Sequence, residues 1–199
     1  LDKHSWPWSM MLVPVAKVDL FELSNNSVWR TQFGFNQAPP LAPPWTHLEK
    51  DGAKTLTEWG WLNYGFEVYY ALLNCGFQLV PTAGTASGVH PVPLGYSRVY
   101  VHTGQNFGVD EWLRGLKAGR SFVTTGPMLT TEFNNNTLHF RVESPSLMKI
   151  EVIVNGEIAA DYPTRLNFPM GIYVGNGTHS FKPEETSWLV LRCFEVRED

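Results

Sequence analysis

The 199-residue chain is 43% hydrophobic, 14% aromatic and only 17% charged, with a net charge of −4. That length builds one large domain or two small ones, each able to bury a core. Acids and bases are interspersed, so no basic stripe exists to neutralise phosphates and nucleic acid is not an expected partner; no apolar run reaches the ~18 residues of a membrane span.

The opening LDKHSWPWSMMLVP is interrupted by Pro, Trp and charge and is not a signal peptide. Without an initiator Met, and reading already as the tip of a strand, it suggests a piece of a longer chain. Residues 10–24, MMLVPVAKVDLFELS, join an apolar run to the alternating VDLFELS and predict a strand buried on at least one face, ended by Asn25 and Asn26. The Pro- and Gly-rich segment 36–54 predicts a long surface loop of the kind that walls a site.

Thr55 and Glu58 have capping-box spacing and open a predicted helix. Its apolar face carries Leu62, Phe66, Tyr69 or Tyr70, and Leu73, and Gly76 closes it. FQLVPT and YSRVYVH predict strands, VDEWLRGLKAG a second helix closed by Gly119, and RSFVTTG a further strand. Alternating strand and helix argue for an α/β sheet or barrel with parallel strands.

At Gly126-Pro127 the helical period stops. MLTTEF, TLHFRVES, MKIEVIVNGE, GIYVGNG and SWLVLRCFEV are strand-like, with turns expected at Asn155-Gly156 and Asn176-Gly177. The expected organisation is therefore an α/β region over residues 1–126 and a small antiparallel β-sandwich over 127–199. Cys75 and Cys193 both read as small buried hydrophobes.

Several chemistries lack their residues. There is no Gly-rich loop before Lys-Ser or Lys-Thr, no GxSxG elbow, and no cysteine with a His neighbour. Metal-assisted hydrolysis needs His, Asp and Glu side chains converging at the carboxyl ends of strands. His4, Glu22 and His90 are the candidates so placed. Each has a plainer role open to it: a surface or loop histidine for His4 and His90, and an ion pair, with Arg30 for instance, for Glu22. Arg98 and Arg120 open strands and can bind an anion or clamp loop carbonyls. His47, His102, His139 and His179 have no ligand partner nearby in sequence.

DKHSWPWSMMLVPVAKVDLFELSNN, LVPTAGTASGVHPVPLGYSRVYV and EWLRGLKAGRSFVTTGPML together resemble the carbaryl-hydrolase-like (CehA/McbA-type) branch of the PHP metal-dependent phosphoesterase superfamily. GRSFVTTGPML is the most specific of these. The resemblance implies the second half of a PHP-like distorted β/α barrel followed by a β-sandwich, and a hydrolase of ester or phosphoester bonds using a divalent metal, zinc or manganese. It implies metal ligation by His4, Glu22 and His90, and contact with a small-molecule substrate by Ser87 and Arg98. The chain departs from the family at two places. No His-x-His pair is present, and in GTASGVH Ala86 stands where the family's Asp belongs, Gly88 where its His belongs. A single weakly held ion, rather than a dinuclear centre, is the expectation. The alternative is a non-catalytic shell that binds a carbohydrate or other polar ligand through loops rich in Trp: Trp6, Trp8, Trp45, Trp59 and Trp61.

Overall fold

A computed structural model describes residues 8–25, 43–51, 55–86, 88, 91–185 and 188–196. The chain divides into two units, Leu1–Thr125 and Gly126–Asp199.

In the first unit, helix α1 (Trp8–Ala16) precedes strand β1 (Leu20–Ser24). The single strand expected over 10–24 is thus two elements. A short apolar run does not by itself distinguish helix from strand, and MMLV supplies good helix formers. Val13 is buried while Met11, Leu12 and Val15 face outward, and Lys17, at φ 50°, breaks the helix before β1.

Strands β2 (Lys50–Asp51) and β3 (Thr55–Leu56) form a short antiparallel ladder ahead of helix α2 (Glu58–Asn74). Thr55, expected as the cap, lies in β3. The N-cap is Thr57, whose Oγ1 accepts from the Gly60 amide at 2.9 Å and donates to Glu49 Oε1 at 2.9 Å. The buried stripe of α2 is Trp61, Tyr64, Val68 and Leu72, with Phe66, Tyr69 and Tyr70 buried beside it. Leu62 and Leu73, expected on the core face, are only partly buried. At the far end Gly76 adopts φ 85°, Gly76 N–H bonds the Leu73 carbonyl and Phe77 N–H the Leu72 carbonyl. This is the doubly bonded glycine cap that satisfies the last carbonyls of a helix.

Strand β4 (Val80–Ala83) pairs with β1 in parallel. Strand β5 (Arg98–Val101), helix α3 (Val109–Lys117) and strand β6 (Ser121–Thr124) follow, and β5 pairs with β6 in antiparallel fashion. The half-barrel expectation is overturned here. Among the described residues the unit holds three helices and three two-stranded sheets, of which only β1–β4 is parallel. Strand–helix alternation predicted parallel strands, but α3 spans only nine residues between left-handed Gly104 and Gly119 and brings the chain back against β5 in reverse. Gly115 lets α3 lie close on β5: a side chain there would come within 2.5 Å of Val101 Cγ1.

The second unit is all strand among its described residues. Strands β7 (Met128–Asn134), β8 (Thr137–Ser144), β11 (Arg165–Asn167) and β12 (Ile172–Ser180) form an antiparallel sheet in the order β11-β12-β8-β7. Strands β9 (Met148–Val154), β10 (Glu157–Pro163) and β13 (Leu189–Glu195) form a second, in the order β10-β9-β13. Leu138, Phe140 and Val142 of β8 share a core with Ile150 and Val152 of β9, closed by Leu129, Tyr162, Leu189 and Leu191. The turn expected at Asn176-Gly177 is instead the middle of β12, opposite Arg141 and Phe140. Gly175 and Gly177 are there for clearance. A Cβ at 175 would meet Ile150 Cδ1 at 2.5 Å, and one at 177 would meet Phe140 Cζ at 2.7 Å. The Asn155-Gly156 turn does form, with both residues at positive φ.

On the face of the three-stranded sheet opposite Ile150 and Val152, Asp161 and Arg192 flank Glu151 in register. Glu151 is buried and bonded to Arg192 at 2.8 Å and Lys149 at 3.1 Å. The side-chain bonds to Glu151 and Asp161 raise the Lys149 pKa. The cysteines are free. Cys75 is exposed rather than buried, because it occupies the C-cap of α2 on the solvent side. Cys193 packs at the margin of the core, and burial pushes its thiol up to about 11.

Candidate functional site

Parallel pairing of β1 and β4 aligns Glu22 with Thr82 and brings both carboxyl ends to one place, where ligand sites of parallel sheets form. Phe21 is fully buried, its ring 5.3 Å from that of Tyr69 on α2. Tyr69 donates to the Leu79 carbonyl at 2.7 Å and so ties α2 to the start of β4; desolvation raises its pKa. After Glu22 the register slips, so that Ser24 rather than Leu23 pairs with Ala83. Such bulges re-aim side chains at strand ends.

Buried polar groups gather at this end. Ser24, Asn25, Thr85, Ser97 and Thr124 are all at or below a tenth exposed. Ser24 Oγ and Ser97 Oγ are 2.7 Å apart, and the Gly84 amide donates to the Ser24 carbonyl at 3.0 Å. Glu22 is half-buried. Its Oε2 accepts from Asn25 Nδ2 at 3.2 Å. No hydrogen bond from the described residues reaches Oε1, which lies 3.1 Å from where a Cβ on residue 84 would sit. The Ser24 and Ser97 hydroxyls thus engage each other, while Glu22 engages Asn25.

The loop after β4 is turned tightly. Ala86 adopts φ 48° and Gly88 φ 93°, and the left-handed region is natural for Gly, tolerated by Asp and Asn, and unfavourable for Ala.

Of the residues expected at the site, Glu22 and Arg98 lie within the described residues. His4, Ser87 and His90 lie outside them. Arg98 is exposed and donates to the Thr125 carbonyl at 3.4 Å. No bond among the described residues joins it to Glu22. Nor do three or more His, Cys, Asp or Glu side chains converge anywhere among those residues. Trp61 is core, whereas Trp45 and Trp59 are exposed.

One pairing escaped sequence reasoning. His47 Nδ1 is 3.2 Å from Glu67 Oε1, the His47 amide donates to Glu67 Oε2 at 2.8 Å, and Asn63 Nδ2 donates to Oε1 at 3.1 Å. It fastens the segment before β2 to α2. Twenty residues separate the partners, and no local spacing signals them.

Comparison of the chain with protein-family models, curated proteins and solved structures finds no match.

Proposed function

We propose that the chain is part of a metal-dependent hydrolase of ester or phosphoester bonds, with Glu22 as one ligand of its ion. The observation that carries this reading is the Glu22 carboxylate. It stands in a parallel strand, with one oxygen bonded by Asn25 and the other, beside a glycine, bonded by none of the described residues. A carboxylate oxygen that no described residue bonds, next to a position lacking a side chain, can take an ion with its waters. A divalent ion there supplies Lewis acidity to the scissile carbonyl or phosphoryl group. The chain's own part is to hold Glu22 in one orientation through Asn25. The resemblance to the carbaryl-hydrolase-like family supports the reaction class.

A second reading, a metal-free site for a carbohydrate or other polar ligand, is favoured by Ala86 at the place of an acid and by the exposed Trp45 and Trp59 faces. The test is hydrolysis of an aryl ester and an aryl phosphate by the 199-residue chain with added zinc or manganese. Hydrolysis that needs the metal and is lost in Glu22→Gln is expected. Turnover unchanged by Glu22→Gln overturns the proposal, and metal-independent retention on an oligosaccharide column replaces it with the second reading.

A further inference from the structure

Edge strands are usually blunted by being short, or by bulges, Pro or charge. Three of the four edges in the second unit follow that rule. β11 has three residues, β10 is bulged between Ile158 and Ala160 and carries Asp161 and Pro163, and β13 carries Arg192. β7 does not follow it. MLTTEFN runs seven residues in unbroken register with β8, with no Pro and one charge, Glu132. All but Leu129 are exposed, Phe133 at 59%.

The hairpin fixes which backbone groups face outward. Asn135 and Asn136, at φ 49° and 58°, form a two-residue turn with both central angles positive. The flanking Asn134 and Thr137 exchange both bonds of their pair. Alternation along the ladder then points the N–H and C=O groups of Leu129, Thr131 and Phe133 away from β8. Among the described residues nothing bonds those groups. The same three residues pair with Val142, Phe140 and Leu138, the core face of β8. Phe133 reaches Phe181 on its inner side, the ring centroids 6.0 Å apart.

We propose that β7 is a dimerisation edge, pairing antiparallel with β7 of a second copy about a two-fold axis at Thr131. In that register the strand complements itself. Leu129 lies beside Phe133 of the partner subunit, and Thr131 beside its own copy, cross-strand pairs that favour a sheet. The lone charge avoids itself, because Glu132 lies beside Thr130 of the partner subunit. A two-fold axis at Glu132 would instead set the two carboxylates against each other. The pairing is isologous and joins two four-stranded sheets into one of eight strands. One strand from each copy makes a contact below the standard size of about 1,600 Å², so the dimer is reversible.

The test is sedimentation equilibrium of the 199-residue chain over a range of concentrations. The wild type should show a weight-average mass rising from one chain toward two. Thr131→Pro should remain a single chain, since it removes an N–H that β8 does not use, at an edge where Pro is tolerated. Thr130→Lys should tighten the dimer and Thr130→Glu loosen it, each by about 2–30-fold, because two symmetric pairs with Glu132 become attractive or repulsive. Within one chain Thr130 stands opposite Arg141, so the urea midpoint should move the other way, down for Thr130→Lys and up for Thr130→Glu. An effect on folding therefore cannot imitate an effect on pairing, and these two variants decide if Thr131→Pro does not fold. A dimer that survives Thr131→Pro, or that ignores both charges at residue 130, overturns the proposal. A wild type that stays a single chain at every concentration overturns it too, and an extended strand of another protein replaces the second copy only if it protects the β7 amides from hydrogen exchange.

Discussion

Gly60→Ala sets two effects of opposite sign against each other. In a helix interior Ala is favoured over Gly by about 1 kcal/mol, so an isolated α2 would gain from the change. In the protein, residue 60 faces the backbone of Glu49. An added Cβ would overlap the Glu49 carbonyl oxygen and lie 2.9 Å from its carbonyl carbon. Backbone cannot swing aside as a flexible side chain does. The segment leading into β2 would have to move off α2, breaking the Thr57 amide bond to the Glu49 carbonyl at 3.2 Å and the Thr57 hydroxyl bond to Glu49 Oε1. Overpacking costs typically about 1–3 kcal/mol and each lost hydrogen bond about 1 kcal/mol. Set against the propensity gain, the net is a destabilisation of about 2–4 kcal/mol. Urea denaturation followed by tryptophan fluorescence suits the measurement, since Trp61 is buried one residue away. A variant as stable as wild type, or more so, would refute the close approach of the Glu49 backbone to α2.

Thr57→Ala should cost about 1 kcal/mol, the usual value of a lost N-cap, and Thr55→Ala clearly less; equal effects in the same urea experiment would return the cap to Thr55. Stability should fall from pH 9 to 11. The Cys193 thiol, ordinarily at 9.0, is pushed up to about 11 by burial, so across that window the unfolded chain sheds a proton that the folded chain keeps. Tyr64, pushed up to about 12, extends the loss above pH 10. Cys193→Ala should flatten the dependence between pH 9 and 10, and an unchanged slope there would count against the burial of the thiol.

Element type was legible where local chemistry dictates it. Gly76 and Gly119 both stand just beyond a helix in the left-handed conformation that closes it, and the alternation in TLHFRVES is the alternation of burial in β8. Legibility failed where a residue's reason lies across the fold. The Asn176-Gly177 pair has the composition of a turn, yet its glycine answers to the Phe140 and Tyr162 rings opposite. On α2, Phe66, Tyr69 and Tyr70 are buried as expected, but Leu62 and Leu73 give way to Trp61 and Leu72, because aromatic residues line much of its circumference and the choice among them belongs to whatever they pack on. Strand direction was misjudged for the same kind of reason. A nine-residue helix between two reversing glycines fixes no direction for the strand that follows.

Glu22 is legible as a candidate because it is a lone carboxylate in an apolar alternating strand. Its surroundings are not. Asn25 was taken only as the end of a strand, and its bond to Glu22 depends on the slip in register after that residue. Ala86 shows the limit most clearly. In sequence it is merely a missing acid, but in the fold it occupies φ 48°, a conformation in which Asp or Asn is several-fold more at home than Ala. The backbone of this loop thus keeps the shape that suits an acidic residue while the residue itself lacks the acid. An alanine held there costs about 1 kcal/mol or more, a strain that neither the composition of the loop nor the spacing of its glycines announces.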